Sequence, residues 1–367
     1  MIKDKLLTVL ALFLCFFSSC ADMHDPLLHM AGKVEIRPEV EQNVKIDMLW
    51  QTDWQSKWQV DWDTSLKGEL GYTKPETFHY NYYSAESGKL VGQRDVASES
   101  TRLNLGYGDY KLFTYTKDYE NLRVNTSDDY HIVTATTIPD NYSELPDSLT
   151  KKLTVYEMPD EIFSMYADVT ISDKLEDYVY VPEENIYLLR INAELEPRVF
   201  IYLLQVELLN NKGRIKSSGI FTVSGLAKSV DLMTGQTGTE SVAHQFSSVY
   251  QELDKQDSGG QASSKQASSP TRALSSEADA LIGGRFTTFG RPTDSDEANM
   301  CYLAVKYKSG ARVCIPFDIT DQIKGLPKGG VINLQIDLDQ VKVDTGGGGG
   351  WNINVGGWDE SQTEQDI

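Results

Sequence analysis

The chain has 367 residues, with 34 Lys and Arg set against 54 Asp and Glu, and a formal charge of −20. An excess of this kind repels nucleic acid and anionic membrane surfaces, and no local Lys/Arg cluster offsets it. The length suits two domains of ordinary size, each able to bury a core.

The chain opens MIKDKLLTVLALFLCFFSSC. Lys3 and Lys5 form a short basic start, and Leu6 to Phe17 is an apolar run of 12 residues. That run is too short to span a bilayer, which takes ~20 residues. Basic start, apolar run and the small pair Ser18-Ser19 make the layout of a secretory signal, residues 1–19. A cysteine straight after two small residues resembles the lipobox of bacterial lipoproteins, which makes Cys20 the expected lipidated N-terminus of the mature chain. Each buried methylene of such an anchor contributes about 0.8 kcal/mol, so several acyl chains hold where one does not. Removing Lys3, Asp4 and Lys5 takes away a net +1, leaving −20 − 1 = −21. Residues 20–42 are polar, lack a clear period and read as a tether. Asp22 and Asp25 resemble the export signal that brings lipoproteins to the surface of Bacteroides-type cells, an outer-membrane, lipid-anchored location.

Val44, Ile46, Met48 and Trp50 alternate with mostly polar neighbours and predict a half-buried first strand. Trp50, Trp54, Trp58 and Trp62 then recur at a spacing of four. On a helix each such step drifts by about 40°. In one strand the series would need about 40 Å, against a usual ~5–6 residues. The four are therefore not one flat platform on one element. Trp50 reads as core. Trp54, Trp58 and Trp62 lie among Gln, Asp, Ser and Lys. They make either a small amphipathic element closing a sandwich, the preferred reading, or an exposed patch able to stack on a glycan.

FHYNYYSAESGKLVGQRDV predicts a hairpin with Phe78, Tyr80 and Tyr82 on one face and a turn at Ser87-Gly88. His79, on the other face, is expected to be solvated. TRLNLGYGDYKLFTYT predicts two strand runs about a turn at Gly106 to Asp109, and residues 131–138 a further strand. After the polar stretch 139–153, MPDEIF has Pro159 at a plausible first helical turn and predicts a short helix near Asp160–Met165, then a strand near Asp168–Ile171.

A second strand series starts near Val179, with Glu196-Pro197 expected to interrupt it. VFIYLLQVELL is a near-continuous apolar run, as for a strand covered on both faces. In FTVSGLAKSVDLM, Ser224-Gly225 reads as a turn between strands. Residues 251–280 are rich in Ser, Gln, Ala and Gly and cannot repay ordering entropy by burial, so they are expected to be a disordered insertion. Strands resume at GRFTTFG, CYLAVKY, ARVCIPFDIT and VINLQIDLDQVKV, with one helical turn near TDQIKGLP. If Ser309-Gly310 is a hairpin loop, Cys314 faces Val305 and Cys301 lies too far along the partner strand for a disulfide; two free, buried thiols are expected. Many short strands with one or two short helices predict an all-β chain of sandwich type.

No convergent chemistry emerges. The five histidines have no HExxH or close His-x-His spacing and there is no CxxC, so neither zinc nor another cofactor is expected. There is no GxSxG elbow. The glycine run 346–350 lacks the Lys-Ser/Thr of a phosphate loop. Asp294 to Glu297 lacks the spaced ligands of a calcium loop and reads as a solvated acidic loop.

VKIDMLW, TFHYNYYSAESGK and LNLGYGDYKLFTYT resemble the N-terminal domain of fimbrillin-like surface lipoproteins of Bacteroides-type bacteria. MPDEIF, FTVSGLAKSVDLMTG, GRFTTFG and FDITDQI with INLQIDL resemble their second domain, in a branch related to fimbrial anchor and tip subunits. The resemblance covers roughly residues 43–358, excluding 251–280. It implies two tandem transthyretin-like β-sandwiches, at 43–178 and 179–358, ahead of an acidic tail, 359–367. It also implies a non-enzymatic anchor or accessory subunit that meets partner subunits by β-strand addition. Asp147-Ser148-Leu149 resembles the O-glycosylation motif of these bacteria, with Ser148 as acceptor. The alternative is a surface glycan-binding lipoprotein using exposed Trp54, Trp58 and Trp62.

Overall fold

A computed structural model of the chain describes residues 39–46, 57–97, 100–126, 133–140, 149, 151–184, 186–253, 278–342 and 351–353. In chain order the strands are β1 (Glu39–Ile46), β2 (Phe78–Ser84), β3 (Leu90–Val96), β4 (Ser100–Asn104), β5 (Gly108–Thr116), β6 (Leu122–Thr126), β7 (Val133–Thr137), β8 (Val155–Tyr156), β9 (Phe163–Ile171), β10 (Val179–Val181) and β11 (Ile186–Pro197). They continue as β12 (Phe200–Leu209), β13 (Ile220–Ala227), β14 (Ser229–Asp231), β15 (Ser241–Ser247), β16 (Val249–Glu252), β17 (Ala278–Thr288), β18 (Met300–Lys306), β19 (Arg312–Asp318), β20 (Gly330–Asp337) and β21 (Trp351–Ile353). Among the described residues, two short α-helices, α1 (Thr64–Lys67) and α2 (Thr320–Gly325), and a 3-10 turn at Leu175–Asp177 accompany them. The chain is mostly β, as its period-2 patterning predicts.

The described residues fall into two compact units. The smaller lies within residues 1–41, 102–107 and 171–190, the larger within 42–101, 108–170 and 191–367. In the larger unit, a sheet running β3-β2-β5-β9-β11 and a three-stranded sheet β14-β7-β6 enclose one core. Tyr83, Phe113 and Tyr115 from the first meet Leu122, Val133, Ala135 and Val230 from the second. A second pair of sheets, β16-β17-β12-β20 and β21-β19-β18-β13-β15-β8, encloses another. Here Tyr202, Leu204, Val206 and Leu208 of β12 face Phe221, Leu303 and Ile315. Rings cross this core in sequence: Tyr202 stacks on Phe286 at 5.2 Å, Phe286 on Phe246 at 5.0 Å, and Phe246 leans on Phe221 at 5.4 Å.

β12 is covered on both sides, as its continuous apolar run predicts. Ile201 and Leu203, on the face away from this core, are as buried as their neighbours. Each such aliphatic side chain contributes about 1.5–3 kcal/mol on burial. The two sandwiches also exchange strands. β8 adds in parallel to β15 through Ala243↔Val155, and β14 adds to β7 through Val230↔Ala135. Each half of the chain thus completes a sheet of the other.

Several local expectations are corrected. Residues 160–165 form no helix; the chain is extended and Phe163–Ile171 is all strand. Neighbouring segments claim the polar groups there: Arg198 N–H donates to Ile162 O, Thr287 Oγ1 to Pro159 O, and Asp160 accepts from the Glu120 and Asn121 amides. Glu196-Pro197 does not interrupt β11, which runs through both and pairs there with β9. Ser224-Gly225 is a bulge inside β13 rather than a turn: the pairing with β15 slips between Val223 and Leu226, and Gly225 takes φ +74°. β16 and β17 reach into both ends of the segment expected as an insertion, and its remainder, 254–277, lies outside the described residues.

The cysteine hairpin also differs by one residue. The loop is Lys308-Ser309-Gly310, so Cys314 faces Ala304 rather than Val305, and Cys301 faces Phe317. Cys301 shares the core face with Leu303 and Val305, whereas Val313 and Ile315 put Cys314 on the opposite face. Both thiols are free and buried, as expected. Burial pushes the Cys314 thiol up to about 12.

In the smaller unit β10 and the start of β11 form a hairpin, with Val179↔Leu188, Tyr180↔Tyr187 and Val181↔Ile186 in register. Tyr178 Oη donates to Ser172 O at 2.8 Å, and Arg102 forks onto the Glu184 carboxylate.

Candidate functional site

Of the residues singled out by sequence, Cys20, Trp50, Trp54 and Ser148 lie outside the described residues. Trp58 and Trp62 are described, and they belong to a strap, residues 57–72, that crosses the outer face of β16-β17-β12-β20. The register of that sheet brings Gln205 of β12 beside Gly283 of β17 and Asn333 of β20. Gln205 then pins the strap. Its Oε1 accepts from the Gln59 amide at 2.9 Å, while its Nε2 donates to Lys57 O at 2.9 Å and to Asn333 Oδ1 at 2.6 Å. Two positions on, the Asp61 amide donates to Gln251 Oε1 at 2.7 Å.

Gly283 makes room for the strap. A Cβ there would sit 2.6 Å from Val60 Cγ2 and 2.7 Å from Trp58 Cη2. Trp62 meets the Trp58 ring edge-on at 6.2 Å, and its Nε1 donates to Gly68 O at 3.0 Å. Both indoles are half-buried. Asp63 caps α1 through the Ser65 amide at 3.0 Å. Further on, Arg285 donates through Nε to Leu70 O at 3.0 Å and pairs with Glu161. Tyr72 ends the strap by donating to Val199 O at 2.9 Å. Burial, reinforced by Glu161, holds its phenol far above the ordinary value.

A signal for this strap was present in the sequence but is hard to read. Gln205 and Glu207 interrupt an apolar run, and a buried amide must have hydrogen-bond partners. Nothing local says that those partners come from residues 57–59.

His79 is buried rather than solvated, because β2 is covered on both faces: Phe78, His79, Tyr80 and Asn81 are all buried. Its Nδ1 lies 2.5 Å from Asp95 Oδ1, directly across the β2–β3 pair, and Lys117 Nζ lies 2.6 Å from Asp95 Oδ2. Burial pushes the Asp95 carboxyl up, but hydrogen bonds from Lys117 and His79 outweigh it and hold it below the usual carboxylate range. The acidic loop at Asp294 to Glu297 is closed by Arg291, which donates to Ser295 O, Glu297 O and Asn299 Oδ1. Among the described residues no group of three or more His, Cys, Asp or Glu is placed to hold a metal.

Two surfaces present groups outward. Among the described residues, β3 stands at the end of its sheet beside β2, with Val91, Gln93, Arg94 and Asp95 exposed. Gly92 in its middle lets the Tyr82 ring cover the backbone, since a Cβ there would fall 2.2 Å from Tyr82 Cε2. The smaller unit exposes Tyr107, Val179 and Tyr180, and the Tyr180 ring leans on Tyr187 at 5.1 Å.

No protein-family model matches the chain, and no curated protein does. Three solved structures illustrate its likenesses. A candidate adhesin of Bacteroides ovatus is 15% identical, with 84% of this chain and 95% of that one covered at a TM-score of 0.47. The fimbrial anchor protein Mfa2 of Porphyromonas gingivalis is 11% identical, with 82% and 90% covered at 0.41. The tip fimbrial protein Mfa3 of the same organism is 9% identical, with 66% and 76% covered at 0.33. Among solved structures, the neighbours of this chain include candidate adhesins and fimbrial anchor and tip proteins of Bacteroides and Porphyromonas.

Proposed function

We propose that this chain is a non-enzymatic cell-surface adhesion protein, lipid-anchored in the outer membrane through Cys20, which serves as a fimbrial anchor or accessory subunit and meets its partners by β-strand addition. The observation that carries the reading is β3: among the described residues it ends its sheet, with β2 as its partner, and it exposes side chains along its length. An added strand would gain affinity from main-chain hydrogen bonds and specificity from alternate side chains. The resemblance of residues 43–358, excluding 251–280, to fimbrillin-like lipoproteins supports the same role. Trp58 and Trp62 spend surface on Gly283 and on each other, which favours a packing role over a sugar platform.

The test is to shear surface pili from the native cell, purify them and search them for this chain by mass spectrometry. Recovery in the pilus fraction is expected, and loss of membrane attachment in Cys20→Ala. Absence from pili under every growth condition that produces them would overturn the subunit reading.

A further inference from the structure

The larger unit holds an open cleft of about 370 Å³ between β9, the end of β11 and the loop after β14, within the ~300–1,000 Å³ range of small-molecule sites. Its floor is Arg198, whose side chain is 11% exposed. Nε donates to Ser164 Oγ at 2.7 Å and to Leu232 O at 3.2 Å, and Nη1 donates to Glu196 Oε2 at 3.0 Å. The guanidinium is therefore held flat from below. Gly235, at φ +76°, lets it pass; a Cβ there would lie 2.6 Å from Nη1.

The walls are just as firmly set. Asp231 Oδ1 accepts from the Met233 and Thr234 amides, each at 2.8 Å, which fixes the loop. Thr234 Oγ1 accepts from the Gln236 amide at 3.2 Å, leaving its hydroxyl proton to donate. Opposite, the Tyr166 hydroxyl is locked between Lys111 Nζ at 2.6 Å and Asp168 Oδ1 at 2.8 Å. Glu194 and Glu196 line the side and are exposed.

This set of groups selects against simple charge. Two carboxylates repel an anion, and the one guanidinium is already paired with Glu196. A cation approaching Glu194 meets Arg198 on the floor. An apolar ligand would strip water from carboxylates without replacing its hydrogen bonds. A neutral polyhydroxy ring meets none of these penalties. Each of its hydroxyls both donates and accepts, which answers carboxylate acceptors beside Arg and Thr donors. Its C–H faces can rest on Met233 and the Tyr166 ring. We propose that this cleft binds one or two units of a neutral saccharide. The site is separate from β3 and from the tryptophan strap, so it can fail while the subunit reading stands.

The test is saturation-transfer NMR and calorimetry on the purified chain, using glucose, galactose, mannose, N-acetylglucosamine and maltose as probes, with glucosamine and glucuronate as charged comparators. At least one neutral sugar is expected to bind. Glu194→Gln and Thr234→Val, both at exposed side chains, should each weaken it by about tenfold, the scale of one lost charge-assisted or well-placed hydrogen bond. Trp62→Ala should leave binding unchanged. Thermal melts matched to the parent confirm that the variants are folded, and pilus recovery with Glu194→Gln, expected to be normal, separates this site from subunit docking. The proposal is overturned if no neutral sugar binds, if only glucosamine or only glucuronate binds, if neither cleft variant weakens binding, or if Trp62→Ala abolishes it.

Discussion

Replacing Gln205 by Leu removes the amide that pins the strap and keeps most of its volume. Three hydrogen bonds go: from the Gln59 amide, to Lys57 O and to Asn333 Oδ1, at 2.9, 2.9 and 2.6 Å. A net hydrogen bond is worth ~0.5–1.5 kcal/mol, and a buried partner left unpaired costs ~1–3 kcal/mol. Lys57 is exposed and Gln59 only half-buried, so water can answer the strap's own groups. That puts the expected loss near the low end, about 2 kcal/mol in total. The loss falls on docking of the strap and not on either core, because Gln205 faces away from Tyr202, Leu204 and Val206. Hydrogen exchange should therefore show the Gln59 and Asp61 amides opening roughly thirtyfold faster, the equivalent of that free energy. Exchange in the middle of β13 and β18 should stay unchanged. Unaltered protection at Gln59 would refute the assignment of Gln205 as the anchor, and a matching loss throughout β13 and β18 would show that the strap and the core unfold together.

His244 sits fully buried with Nδ1 donating to Tyr156 O at 3.0 Å, and burial lowers its pKa to about 4. The fold therefore prefers the neutral ring: its contribution is complete above the ordinary value near 6.5 and is lost as pH falls from there through about 4. Urea unfolding at pH 7 and pH 4.5 should differ by about 2 kcal/mol from this residue, and His244→Gln should shrink that difference. Arg285→Met removes the cation beside the Glu161 carboxylate, which keeps only its bonds from Thr73, and frees the Leu70 and Gly71 carbonyls. A destabilisation of roughly 3 kcal/mol, read from the unfolding midpoint, is expected, and Glu161→Gln in the same chain should restore part of it. Cys301 and Cys314 should resist iodoacetamide in the native protein and react on denaturation, as peptide mapping would show; native labelling of Cys301 would contradict its place in the core.

Much of the strand content follows from local chemistry. The alternation of apolar and polar residues marks β2 and β20, because one side chain in two must face a core. The unbroken run of β12 requires cover on both faces. The spacing of Cys301 and Cys314 around a tight hairpin rules out a bond between them even with the loop misplaced by one residue. The sequence also suggested a small amphipathic element around the tryptophans, though not what it would touch.

Partnership was decided only in three dimensions, since which strand lies beside which depends on backbone hydrogen bonds between residues distant in the chain. The strap of residues 57–72 rests on a sheet built after residue 199. β8 and β14 each complete a sheet made mainly by the other half. His79 is buried because a second layer covers a face that its own strand left open to either choice. Asp160 to Met165 extends because β5, β11 and the Arg198 amide offer its backbone partners that outweigh a weak local preference for helix.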